Sequence, residues 1–190
     1  RDLNLSKTHT LIVPSVSSER RLYFPIGFLN NDVIVSNSAQ AIYDADYFLF
    51  GIIFSKIHNV WVRTIGGKLE TRIRYSAEIC YNNFPFPEIN EGQKKEIERN
   101  VFAILAERET HSEKTLADLY EPKKIPDELK EAHHQLDLAV ERCYRSKPFE
   151  SDEERLGYLF KLYEQMIAEE RQRSGELIFD YADVQIDEAL

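Results

Sequence analysis

Cysteine is scarce in this 190-residue sequence, which has only Cys80 and Cys143. Two cysteines make neither a disulfide framework nor a thiolate metal cluster, and they suit a reducing, cytoplasmic compartment. Glycine is scarce too, with seven residues and one adjacent pair, Gly66-Gly67. A glycine-rich loop that cradles phosphates or a dinucleotide is therefore missing. The longest apolar run, residues 47–53, gives way at Ser55 and Lys56. It falls far short of the roughly 18–20 residues that cross a bilayer, so no membrane partner is expected. The chain starts at Arg1 with nothing like a signal peptide. It reads as an internal or C-terminal piece of something larger.

Other absences narrow the chemistry. No His-Glu-x-x-His or Cys-x-x-Cys spacing exists for a metal. His133 and His134 are helix neighbours pointing about 100° apart, poor geometry for joint ligation, and both are expected at the surface. No serine sits in a Gly-x-Ser-x-Gly elbow. The run Asn82-Asn83-Phe84-Pro85-Phe86-Pro87 invites comparison with the Asn/Asp-Pro-Pro-aromatic turn of amino-methyltransferases, but no two of its prolines adjoin. It reads as a rigid connector. No catalytic residue, no metal ligand and no cofactor site is assigned to this segment.

What is present is enough apolar material for a core, 43% hydrophobic and 12% aromatic. The length suits one ordinary domain or two small ones. The net charge of −9 is uneven: residues 1–90 carry 9 Lys+Arg against 8 Asp+Glu, residues 91–190 carry 15 against 25. An acidic second half repels phosphates, so any contact with nucleic acid belongs to residues 1–90.

Composition changes near Pro85-Phe86-Pro87, which places a boundary at about residue 90. The expected fold class is α+β: a mixed domain over residues 1–90, then an all-α domain over residues 91–190. In the first half, residues 10–13, 21–24 and 33–35 read as strands, with turn chemistry at Asn30-Asn31-Asp32. Asp44 or Asp46 caps a helix over residues 47–57. Gly66-Gly67 is a turn, and Ile79-Cys80-Tyr81 a further strand. In the second half, Asn90 with Gln93 forms a capping box ahead of the stripe Ile97, Val101, Ile104, Leu105. Pro126 opens a helix carrying Leu129, Leu136, Val140 and Cys143. Ser151 with Glu154 is a second capping box, followed by Leu156, Leu159, Phe160, Tyr163 and Ile167.

One constellation stands out. Residues 68–75 alternate, so as one strand Leu69, Thr71, Ile73 and Tyr75 face one side, and Lys68, Glu70, Arg72 and Arg74 the other. A half-buried strand with a solvated Glu–Arg pair accounts for this. So does a surface that reads DNA, because Arg donates to guanine O6 and N7 while Glu accepts from the cytosine amino group. Arg20, Arg21, Lys56, Arg63 and Lys68 are the accompanying phosphate candidates. Trp61 is expected in the core, and Asn82 and Asn83 at backbone groups of the connector.

These residues resemble a known family. Ser17-Ser18-Glu19-Arg20-Arg21-Leu22-Tyr23-Phe24-Pro25-Ile26-Gly27-Phe28, and Phe50-Gly51-Ile52 running to Trp61-Val62-Arg63, are similar to blocks of the MmeI-like (type IIL) restriction–modification enzymes. Gly67-Lys68-Leu69 through Arg74-Tyr75-Ser76, closing with Tyr81-Asn82-Asn83-Phe84-Pro85-Phe86-Pro87, is the clearest match. Thr115-Leu116-Ala117-Asp118-Leu119-Tyr120 and the stretch around Lys147-Pro148-Phe149 resemble the helical tail of the same proteins.

The resemblance covers nearly the whole chain and implies the last two parts of a large enzyme: a target-recognition domain and a helical C-terminal domain. It implies an upstream adenine-N6 methyltransferase domain using S-adenosylmethionine in the full-length enzyme, with a nuclease domain ahead of it in many members. It implies that positions matching Glu70 and Arg72 read the base pair beside the target adenine, and that Arg74 sits in the same segment. Double-stranded DNA, met through residues 1–90, and the upstream domain are the implied partners. Two other readings stay open: a non-enzymatic specificity or adapter subunit, and an acidic helical protein-interaction module.

Overall fold

The N-terminal strand β1 (His9–Pro14) begins the fold in this computed structural model, which describes residues 7–30 and 33–174. Leu11 and Val13 point into the core. β1 pairs antiparallel with β3 (Gly27–Asn30) on one edge and β4 (Ala39–Tyr43) on the other, in register Leu11↔Phe28 and Leu11↔Ile42. After Pro14 the chain enters β2 (Val16–Ser18), which belongs to a second antiparallel sheet, β2-β6-β5, with β5 (Gly67–Leu69) and β6 (Arg72–Arg74).

Between the two sheets' strands lie helices α1 (Tyr47–Phe54) and α2 (Lys56–Ile65). Asp46 caps α1, its carboxylate accepting from the Leu49 N–H at 2.8 Å. The sequence suggests a single helix over residues 47–57; the chain instead breaks at Ser55, which is extended (φ −67°, ψ 158°) and donates its hydroxyl to Ile52 O at 2.6 Å. The break re-aims α2 and opens its N-terminus to a partner from elsewhere in the chain. α1 is apolar on almost every side because it runs through the middle of the core, where Phe50, Ile52, Ile53 and Phe54 are all buried.

Four further helices follow: α3 (Glu91–Glu109), α4 (Leu116–Leu119), α5 (Asp127–Tyr144) and α6 (Asp152–Ser174). The Asn90–Gln93 capping box forms as expected, with both reciprocal hydrogen bonds at 3.0 Å. Pro126 stands at the start of α5, and Ser151 Oγ accepts from the Glu154 N–H at 3.2 Å. Glu154 itself accepts from Glu150 N–H, one residue outside the box. The mixed first part and helical second part give the expected α+β class.

The two parts share one core. α1 packs on α3 and α5, and α2 on α6. Gly51 permits the closest approach: a Cβ there would lie 2.5 Å from Ile97 Cγ2 and 3.0 Å from Val101 Cγ2. Trp61 is buried against Phe160 and Tyr163 of α6, at ring separations of 5.4 and 5.7 Å.

Several local expectations are corrected. Residues 21–24 form no strand; Tyr23 and Phe24 are buried as single anchors, and Phe24 N–H donates to the Asn59 side chain rather than to a ladder. Residues 33–35 are likewise irregular and largely exposed, and the strand lies at β4 instead. Asn31 and Asp32 lie outside the described residues. Ile79-Cys80-Tyr81 belongs to a π-helical turn, Ala77–Tyr81, whose Glu78 and Ile79 carbonyls accept from Asn83 Nδ2 at 2.9 and 3.2 Å. His133 is fully buried, not at the surface, while His134 is exposed. Of the α6 stripe only Leu159 is fully buried.

Candidate nucleic-acid interface

The segment with the alternating charges is a hairpin, not one strand. β5 and β6 are joined by a two-residue turn, Glu70-Thr71, in register Gly67↔Arg74, Lys68↔Ile73 and Leu69↔Arg72. Two-residue hairpin loops need left-handed backbone, and Glu70 supplies it at φ 59° without being glycine or asparagine.

The register redistributes the side chains. Directly opposed residues share a face, so Lys68 goes with buried Ile73, while Arg72 and Arg74 go with Leu69 and, across β2, with Ser18 and Val16. The four charged residues thus do not share one face as simple alternation requires. Arg72 and Arg74 share the exposed face, Glu70 stands at the tip, and Lys68 is on the other side.

Glu70 and Arg72 nevertheless meet, Arg72 Nη2 lying 3.4 Å from Glu70 Oε2. Their side chains are 79% and 50% exposed. An ion pair in water at that separation contributes about 0–1 kcal/mol, so the fold does not depend on it. The hairpin is held instead by Ile73 and Tyr75, both buried. Beside it lies an open depression of about 530 Å³ lined by Ser15, Val16, Asn37, Lys68, Leu69 and Arg74, among others.

Four of the five phosphate candidates gather elsewhere, around a second cavity of about 310 Å³ lined by Arg20, Arg21, Lys56 and Arg63 with Glu19 and Asp152. Two of their guanidinium groups are engaged in holding the loop. Arg63 donates from α2 to Glu19 O at 2.7 Å and to Arg21 O, and burial pulls its pKa down. Arg21 Nη2 donates to Ala117 O at 3.1 Å. Lys56 Nζ lies 3.3 Å from Asp152. Arg20 is exposed, and its guanidinium has no acceptor among the described residues.

Behind this cavity lies a polar cluster that the sequence reading missed. Asp137 of α5 is buried and accepts from the Tyr23 hydroxyl and the Lys56 backbone N–H, both at 2.6 Å. It thereby caps the α2 N-terminus opened by the Ser55 break. Burial pushes its carboxyl up to about 7, against the pull of those two hydrogen bonds. The Tyr23 hydroxyl is raised too, by burial first and by Asp137 second, so it stays a donor. His133 stacks on Tyr23 at 4.0 Å and shares a 2.8 Å hydrogen bond with Tyr120; burial holds its pKa well below the usual value. A signal for this cluster exists: His133, Leu136, Asp137 and Val140 follow at i, i+3, i+4, i+7, one helix face. Among the described residues no group of His, Cys, Asp and Glu is placed to hold a metal ion.

Comparison with known proteins matches both parts of the chain. Residues 2–88 match the family model "MmeI, target recognition domain", and residues 89–169 the model "MmeI, C-terminal domain". A DNA methyltransferase A from Bacillus subtilis (strain 168) is 50% identical over 166 residues, covering 87% of this chain and 19% of that protein. Among solved structures, the Type IIL restriction-modification enzyme MmeI in complex with DNA superposes with a TM-score of 0.83 at 42% identity, covering 87% of this chain and 22% of that one. The chain therefore spans about one fifth of the length of these relatives.

Proposed function

The chain belongs to the MmeI family, residues 2–88 as its target recognition domain and residues 89–169 as its C-terminal domain, and from that premise we propose that it is the DNA sequence-recognition region of a longer adenine-N6 methyltransferase. The observation that carries the reading is the β5–β6 hairpin, a two-stranded ribbon whose Glu70–Arg72 pair is exposed and dispensable for folding. The B-DNA major groove, about 12 Å wide, admits such a ribbon. Arg72 donates its guanidinium fork to guanine O6 and N7, and Glu70, 3.4 Å away, accepts from the cytosine amino group. The two side chains then read both halves of one C·G pair, and water around each is exchanged for a partner of matching polarity. Arg74, two residues along the same face, extends the contact. The relationship to an enzyme solved in complex with DNA supports a contact with DNA.

S-adenosylmethionine is the methyl donor this reading requires, and the described residues do not fit it. Asn83 is committed to the carbonyls of Glu78 and Ile79, Phe84 is buried in the core, and no adjacent prolines form a catalytic turn. The methyl donor and the catalytic groups belong to the rest of the longer chain, which works in the cytoplasm alongside its DNA.

The reading is tested by sequencing modified adenines in DNA exposed to the full-length protein carrying Arg72→Ala. Discrimination falls by about 1–3 kcal/mol at one base pair of the site and nowhere else. An unchanged site makes the pair a solvated feature of the turn.

A further inference from the structure

The cavity between the Glu19–Tyr23 loop and α2 has no assigned ligand, and we propose that it seats one backbone phosphate of the DNA duplex, with Arg20 as the contacting group; this rests on the DNA-recognition reading above. The cavity is ringed by four cations and two carboxylates, Arg20, Arg21, Lys56 and Arg63 against Glu19 and Asp152, so its balance is positive in a chain whose net charge is −9. Its construction separates scaffold from ligand. Arg63 spends its donors on the carbonyls of Glu19 and Arg21, fixing the loop while still contributing its charge. Arg21 is tied to Ala117 O, and its Nε–H is buried without an acceptor among the described residues. Arg20, between the two anchored residues, is left pointing to no partner among the described residues.

Arg20 also lies near the hairpin. Ser18 of β2 pairs with Arg72 of β6, and Arg20 lies two residues further on, its N–H held by Ser18 Oγ at 3.3 Å. Residues 19 and 20 form a turn closed by Arg21 N–H to Ser18 O at 3.2 Å; with consecutive Cα atoms about 3.8 Å apart and paired residues about 4.5–5.5 Å apart, the Arg20 backbone lies within roughly 13 Å of that of Arg72. Each DNA strand offers a phosphate every 3.4 Å or so of helix axis, so a groove occupied by the hairpin brings its flanking backbone to the loop. Lys56 is a reserve cation, neutralised by Asp152, which Arg155 also holds at 3.1 Å.

The test measures duplex affinity of the full-length protein from 50 to 200 mM salt, with target and scrambled duplexes. One phosphate contact contributes about 0.9 to the log–log salt slope, equal to about 3.5-fold between those concentrations. Arg20→Gln is expected to reduce the slope by about 0.9, weaken both duplexes by the same factor, and leave the methylated site unchanged. Asp152→Asn releases Lys56 and is expected to steepen the slope. An unchanged slope in Arg20→Gln overturns the proposal whatever Asp152→Asn does, and so does a loss confined to the target duplex, which makes Arg20 a base contact. If Arg20→Gln flattens the slope while Arg72→Ala leaves the site intact, the phosphate seat stands and the hairpin reading fails. If the full-length protein shows no salt-dependent DNA binding, both fail.

Discussion

Replacing Asp137 by asparagine tests whether a buried carboxylate holds the two parts of the chain together at a cost that depends on pH. The side chain is 4% exposed and accepts from Tyr23 and from the α2 N-terminus at 2.6 Å each. Its pKa rises from an ordinary 3.8 to about 7, with burial the largest cause. The folded state therefore binds a proton that the unfolded state has released across that interval. Stability from this group is fully present below about pH 4, declines as pH rises towards 7, and is level above it. At 1.36 kcal/mol per pH unit the upper bound on the decline is roughly 4 kcal/mol.

Asparagine keeps the Lys56 N–H bond through its carbonyl, reverses the other so that its amide donates to the Tyr23 oxygen, and cannot ionise. Urea unfolding of the 190-residue chain, followed through its single Trp61, gives stability for both proteins between pH 4.5 and 8. The difference between variant and parent is expected to grow in favour of Asp137→Asn as pH rises. A difference that stays flat, or shrinks, means that the two hydrogen bonds outweigh burial and that the carboxylate is ionised throughout.

Two other substitutions probe the shared core. Gly51→Ala places a methyl 2.5 Å from Ile97 Cγ2 and is expected to cost about 1–3 kcal/mol in the same unfolding assay, whereas Gly157→Ala on open α6 is expected to stabilise by about 0.5–1 kcal/mol. Glu141→Ala takes from Arg155 its closer partner, at 2.7 Å with side-chain exposures of 4% and 10%, and leaves Asp152 at 3.1 Å, so it is expected to destabilise by about 2–3 kcal/mol, less than a wholly unpaired buried charge costs; Glu141→Leu with Arg155→Met is expected to recover most of that.

Helix starts were legible because their signals are local. Asp46, Asn90 and Ser151 are capping residues whose side chains bond within three residues of themselves. Breaks without a signature residue were not. Ser55 interrupts the first helix with neither glycine nor proline, and the Glu70-Thr71 turn carries none of the usual turn residues, so period-two alternation over residues 68–75 looks the same for one strand or two. A two-strand register, not alternation, decides that Lys68 parts company with Arg72. Strand-like composition at residues 21–24 and 33–35 misled because β-propensity counts side chains that fit a pleated surface, and there Tyr23 and Phe24 are anchored individually.

The candidate site was legible as residue types and not as an arrangement. Arg20 and Arg21 meet Lys56 and Arg63 only through tertiary packing, and nothing in their order shows that Arg63 is spent on two backbone carbonyls. Asp137 and His133 sit on the apolar face of α5, a placement that a reading of the whole face, rather than of its apolar members alone, would have found.

The most direct measurement on base reading by the hairpin uses the full-length protein with Glu70→Lys and Arg72→Asp together, followed by sequencing of every modified adenine. Lysine at the tip then seeks guanine and aspartate on β6 seeks cytosine, from exchanged positions. One base pair of the methylated site is expected to change from C·G to G·C with the rest retained. A site unchanged in the double variant, with methylation intact, contradicts it.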